Sequence, residues 1–273
     1  MPITLLPDRT IVEVTGADRR TFLQGLVSND VTRAVPGQAV WSALLTPQGK
    51  WLTDFLIIAE GERLLLDLPA ADAPDLVQRL GRFRLRAQVA LRVEPGLSVG
   101  VAWGGAAAPE GGISAADPRL PEAGLRFLTD AAIATDATPA DWDLHRLALG
   151  LPDGAPDLER EKTVLLEAGF DELNGISWTK GCYMGQELTA RTRYRGLLKR
   201  RLVPVAVAGP LPAPGTPIRR GEAEVGEMRS GRGTLGLALL RLEAIGAASL
   251  TCGEARLTPR VPAWMRLPEP AAP

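Results

Sequence analysis

From Leu202 onward, glycine and proline cut the chain into apolar runs too short for helices: residues 203–207, 224–228, 235–240 and 255–257. Proline removes a backbone donor and fixes φ, and glycine costs backbone entropy inside any regular element, so both mark where a run must stop. Short strands at such spacing predict a small β-barrel of roughly 70 residues. Upstream the pattern changes. Residues 11–14 alternate as a strand that ends at Gly16, and 17–26 put Phe22, Leu23 and Leu26 on one helical face. Strands over 40–45, 51–58 and 64–68, joined by turns at 46–49 and 60–62, predict a meander. A helix follows over 71–81 through Leu76, Val77 and Leu80, then strands over 89–93 and 99–103, then a loop over 104–118. The spacing predicts a helix over 142–149 that stops before Gly150, Leu151 and Pro152, and a frayed end over 268–273. Separate runs of strand and helix belong to the α+β class.

A chain of 273 residues can bury a sizeable core and form more than one lobe. Its net charge of −1 gives no global field for nucleic acid or an anionic membrane, so neither is expected as a partner. The first ten residues lack a basic-then-apolar leader pattern, and no apolar stretch is long enough to span a bilayer. Two cysteines far apart suit a reducing compartment, with Cys182–Cys252 pairing left open. These features predict a cytoplasmic protein of bacterial type.

Chemistry concentrates at Lys180, Gly181, Cys182, Tyr183, Met184, Gly185, Gln186 and Glu187. A thiol between glycines, beside a lysine and ahead of a helix predicted over 188–196, stands where cation and helix N–H groups favour the thiolate. Cys252 has no cation beside it and reads as structural. With His145 the single histidine and only two cysteines, no tetrahedral metal shell can be filled within one chain, so Cys182 could ligate metal only with a partner's help. Phosphate-loop and dinucleotide glycine patterns are missing. Arg191, Arg193, Arg195, Lys199, Arg200 and Arg201 suit an anionic ligand tail or an acidic partner; equally, they form a solvated face with Glu187 paired to Arg191. Trp142 reads as core or as a stacking face, His145 as a hydrogen-bonded core histidine, and Asp54 as a buried functional carboxylate or a solvated one.

The octapeptide resembles the signature of the YgfZ proteins, folate-binding relatives of the glycine-cleavage T-protein that maintain iron–sulfur enzymes. Gly16 to Asp18, Phe22 to Val31, and Leu45 to Lys50 with Asp54 resemble further blocks of that family. His145, Arg146 and residues 150–154, with 174–179 and 187–192, resemble the branch of the mitochondrial-type assembly factor for [4Fe–4S] proteins. The resemblance implies three lobes in a cloverleaf around a central folate opening: residues 1–45 with 136–199, residues 46–135, and a barrel over 200–273. It also implies a tetrahydrofolate ligand, with Trp142, His145, Asn29, Arg191 and Arg193 as contacts. Arg9 replaces a tryptophan of YgfZ proteins, Ala148 a pterin-recognising glutamate of T-proteins, Thr53 the first carboxylate of their Asp-Asp pair, and Gly169 a frequent asparagine.

The leading reading is therefore a non-enzymatic, or only weakly enzymatic, accessory protein for iron–sulfur assembly or repair. It would bind tetrahydrofolate and use Cys182 for transient cluster, thiol or partner chemistry with carrier or client proteins. The alternatives are a folate-dependent aminomethyltransferase or demethylase with Asp54 polarising the amine, and a docking adaptor that binds no folate.

Overall fold

The computed structural model describes residues 2–267, and the frayed end expected over 268–273 lies outside them. The chain divides into two compact units. One comprises residues up to Pro47, Leu52–Trp142 and Asn174–Gln186; the other comprises Gln48–Trp51, Asp143–Leu173 and the chain from Glu187 onward.

The first unit contains β1 (Ile3–Leu5), β2 (Arg9–Thr15), α1 (Arg19–Gln24), β3 (Gly37–Gln38), β4 (Val40–Leu45), β5 (Trp51–Glu60, less its first residue), β6 (Arg63–Pro69), α2 (Ala73–Phe83), β7 (Ala90–Glu94), β8 (Ser98–Ala102), β9 (Ile113–Ala116) and β10 (Leu125–Thr129). They form two five-stranded sheets, ordered β4-β5-β6-β2-β7 and β1-β8-β10-β9-β3. The meander β4-β5-β6 is as predicted. Every residue of β4 is buried and so is all of β5 except Glu60, so both faces of these strands are covered and apolar residues fill most positions of either face, with Ser42, Thr53 and Asp54 as the buried polar exceptions. Amphipathic α2 buries Ala73, Leu76 and Leu80, with a proline in its first turn where no intrahelical donor is needed. Two elements depart from expectation. The stretch read as loop contains β9, which pairs with the unanticipated β10 in the register Leu125↔Ala116 to Leu128↔Ile113. Alternation in β10 is masked because Arg126, at an inward position, is charged.

Helix α3 (Pro139–Leu149) enters the second unit at Asp143, and α4 (Gln186–Tyr194) enters it at Glu187. There β11 (Arg200–Ala208), β12 (Pro217–Arg220), β13 (Ala223–Arg232), β14 (Leu235–Arg241), the short α5 (Leu242–Ile245), β15 (Leu250–Cys252) and β16 (Ala255–Pro259) follow. The strands close as β11-β14-β13-β12-β15-β16, the predicted small barrel with two more strands than the apolar runs revealed. Its core is aliphatic, built on Val203, Val205, Ile218, Leu240 and Leu257. The register of β13 shifts between Met228 and Ser230, and the Met228 side chain lies where a Cβ on Gly236 would fall, 2.3 Å from Cε. Among the described residues no helix is long and apolar enough to cross a membrane.

Candidate functional site

The segment carrying Cys182 is fastened to the loop after α1 within the first unit. Asn29 donates both amide hydrogens, to Trp41 O (2.8 Å) and to Asn174 O (2.6 Å), while its Oδ1 accepts from Asp30 N. Ser28 Oγ donates to Gly175 O, and Ser177 N donates back to Ser28 O. Asn174 holds the left-handed conformation at φ 58° and donates its side-chain amide to Pro118 O. Lys180 then reaches back: Nζ donates to Val27 O and Asn29 O, both at 2.7 Å, and lies 5.3 Å from the centre of the buried Tyr183 ring. Partial burial pushes the Lys180 ammonium down to about 8, against the pull of the Asp30 carboxylate. Met184 N donates to Gly25 O.

Between these anchors the backbone turns outward. Gly181 and Gly185 have φ of 96° and 80°, a region closed to most side-chain-bearing residues, and Cys182 and Gly181 are exposed. Cys182 is a free thiol four residues before α4 begins. The lysine beside it is occupied by two carbonyls, so its first role is to hold the loop.

Asp54 is buried on β5 and accepts from Trp41 Nε1 at 2.9 Å. Because Trp41 O also holds Asn29, one hydrogen-bonded path links Asp54, Trp41, Asn29 and Lys180. Trp142 is only 3% exposed; it meets Trp103 edge-on at 5.6 Å, and the Arg126 guanidinium lies 5.6 Å from its ring centre. Its ring is enclosed rather than presented as an open stacking platform.

Arg126 belongs to a charged interior that sequence reasoning missed. Asp67 accepts from Arg9 Nε at 2.5 Å and lies 3.2 Å from Arg126 Nε, joining the two sheets of the unit. Asp117 takes a bidentate contact from Arg119, whose guanidinium sits 5.6 Å from the centre of Trp41. Burial alone would raise the Asp117 carboxyl, but the charge and hydrogen bonds of Arg119, with Arg126 behind, hold it below the usual carboxylate range. Nothing in the composition marks these residues as internal, since charged side chains are mostly solvated. A cleft of about 380 Å³ opens in the same unit, lined by Asn29, Arg33, Gln38, Pro118 and Asn174 among others.

The remaining candidates belong to the second unit. His145 is half-buried on α3, next to a buried Arg146 that binds Asp143 and Asp157, both at 2.7 Å. On α4, Glu187 and Arg191 are exposed and 3.8 Å apart, and Arg193 lies 3.6 Å from Asp171. Lys199 and Arg200 line a cavity of about 740 Å³ with Leu188, Leu197 and Leu242. Arg201, from the same basic run, is instead buried against Glu172 at 2.9 Å. Cys252 is a free thiol in the barrel core, its proton held more tightly because of burial. No group of three or more His, Cys, Asp or Glu side chains placed to hold a metal ion occurs among the described residues.

The whole arrangement has the fold of an aminomethyltransferase of the glycine cleavage system. The crystal structure of aminomethyltransferase T from Bartonella henselae matches with a TM-score of 0.77, covering 96% of this chain and 85% of that one, at 13% sequence identity. At that identity the likeness defines fold alone. Residues 199–267 match the family model of the CAF17 C-terminal β-barrel domain. Over 298 residues the chain is 33% identical to the mitochondrial iron–sulfur cluster assembly factor IBA57 of Homo sapiens, covering 95% of this chain and 84% of that protein. The mouse protein is 33% identical over 306 residues with the same coverage. The homologue in Mycosarcoma maydis is 34% identical over 225 residues, 74% of this chain and 56% of that protein. The chain belongs to the IBA57 family of iron–sulfur cluster assembly factors. These relatives are mitochondrial proteins, which overturns the expectation of a bacterial-type cytoplasmic protein. Near-neutral charge and two separated cysteines are compatible with either compartment.

Proposed function

We propose that this protein assists the assembly or repair of iron–sulfur proteins, [4Fe–4S] enzymes above all, and that Cys182 is the thiol through which it acts. The observation that carries the reading is an exposed free thiol on a loop fastened at both sides by Lys180, Asn29 and Met184. Such a loop presents sulfur to a partner with little entropy left to lose. The cluster is cargo here: Cys182 supplies one ligand, one exchanging thiol or one docking contact, and a carrier or client protein supplies the rest. In a strain lacking the protein, the wild-type chain restores the activity of [4Fe–4S] enzymes and Cys182→Ser does not, although circular dichroism shows it folded. Full complementation by the serine variant removes Cys182 from the mechanism.

A narrower reading adds a tetrahydrofolate, and the cleft beside Asn29 and Asn174 favours it. Arg33 at its wall, with no ion pair among the described residues, offers a cation to a glutamate tail. The fit is partial. Asn29 has both amide hydrogens committed and Trp142 is enclosed, so neither serves as a ready contact, and no chemical step is assigned to the folate. Likewise Asp54, the carboxylate a transferase would use, is engaged by the Trp41 indole. Titration of the purified protein with tetrahydrofolate, followed by tryptophan fluorescence, tests this. Saturable binding weakened by Arg33→Gln supports the cleft, and absence of binding leaves a docking adaptor.

A further inference from the structure

Six consecutive residues at the end of α2 and in the turn beyond it, 81–86, are all exposed, and they alternate charge with apolar surface. Phe83 is 43% exposed and Leu85 is 90% exposed. Arg82, Arg84 and Arg86 surround them, and their guanidinium groups have no ion-pair or hydrogen-bond partner among the described residues, whereas neighbouring Arg79 is paired with Asp75 at 2.8 Å and Arg92 with Glu13 and Glu94. The turn is closed by Ala87 N donating to Arg84 O at 2.7 Å, and it places Leu85 at φ 41°. A bulky side chain in the left-handed region is a backbone outlier, and outliers of this kind cluster at ligand-binding and switch regions. Leu85 thus carries two local costs together, an unfavourable backbone angle and an apolar side chain in water. Glycine would relieve both.

We propose that this turn is a docking site for an acidic, leucine- or phenylalanine-bearing segment of a protein partner, with Leu85 and Phe83 as apolar anchors and the three arginines as carboxylate receptors. Charge complementarity selects the occupant. Guanidinium groups match carboxylates bidentately, and phenylalanine and arginine are both enriched at protein interfaces. A bilayer surface fits less well, because the two apolar side chains form no continuous stripe along a helix of the kind that lies in a membrane interface. Three residues beyond Ala87 begins β7, the outer strand of its sheet among the described residues. This assignment does not depend on Cys182.

Fluorescence anisotropy with the full-length chain and a labelled peptide of alternating glutamate and leucine tests the site, with polyglutamate and vesicles containing anionic phospholipid as the other probes. The wild-type chain binds the mixed peptide, and binding weakens as salt rises to about 0.5 M. Leu85→Gly and the triple change Arg82→Gln, Arg84→Gln, Arg86→Gln each weaken it at least about tenfold. Leu85→Gly meanwhile melts at or above the wild-type temperature, which separates lost docking from lost folding. Equal binding by Leu85→Gly, polyglutamate binding as tight as the mixed peptide, or no peptide binding overturns the proposal. Vesicle binding without peptide binding assigns the surface to lipid instead.

Discussion

Inside the barrel, Val203, Val205, Ile218, Leu240 and Leu257 are packed against one another with no charge among them. Inside the first unit, by contrast, Asp67, Asp117, Arg119 and Arg126 are buried, with Arg9 half-buried at their edge and Trp41 and Trp142 beneath two of the guanidiniums. Apolar packing is non-directional and tolerates swaps of similar volume. A buried ion network tolerates little, because removing one partner strands the other in a low-dielectric interior. The thiol loop is built on the second kind of interior: Trp41 touches Arg119 on one side and bonds to Asp54 and Asn29 on the other. The barrel supplies mass and closure, and the charged interior supplies geometry.

The largest test of this contrast is Asp67→Asn, which keeps shape and removes charge. We predict a loss of about 3–5 kcal/mol by urea denaturation, with hydrogen-exchange protection falling first in β2 and β10. A loss under about 1 kcal/mol would show that the network is ornamental to stability.

Acid comes next. The folded Asp117 carboxyl is held low, as is Glu13 chiefly through its hydrogen bond from Arg92, so both ionise more readily folded than unfolded. Their contribution is complete above the unfolded value of about 4 and disappears as pH falls through the lowered folded values. Hydrogen exchange at falling pH should therefore loosen the first unit before the barrel, and Asp117→Asn should flatten that dependence while costing stability at neutral pH.

In the barrel, Ile218→Val should cost only about 0.5–1.5 kcal/mol and leave exchange in the first unit unchanged. Loss of protection in both units would end the separation drawn here. Smallest is Gly81→Ala on α2, where an added Cβ meets nothing within 4 Å; it should stabilise by about 0.5–1 kcal/mol in thermal melts.

Much of the architecture was legible because it rests on local pattern. The meander announced itself through apolar runs between turn residues, and the barrel through glycine and proline. What escaped were elements whose signal is tertiary. Strand β10 hides behind Arg126, whose burial makes sense only once Asp67 and Asp117 stand opposite it. Two-residue β3 joins its sheet only by parallel pairing with β9. At the site, Cys182 stood out by its glycine and lysine neighbours and the rest of the octapeptide by resemblance, but the hydrogen bonds these residues make were not legible. Lys180 read as a neighbour for the thiol and proved to be a clamp on two carbonyls; Asn29 read as a ligand contact and proved to be the joint between two loops. Hydrogen-bond partners well over a hundred residues apart leave no periodic trace.

The first unit is assembled from three separated stretches of chain, and the last of them carries the thiol. During synthesis the two sheets emerge first, and residues 174–186 arrive only after the intervening stretch from 143 to 173, seconds later at about 5–20 residues per second. Until then the Asn29 amide and the carbonyls of Val27 and Ser28 lack Asn174, Lys180 and Ser177 as partners. The nascent unit can form its sheets but cannot finish. The segment bearing Cys182 is its closing piece, so a chain that presents this sulfur in its native loop has already completed the unit beneath it.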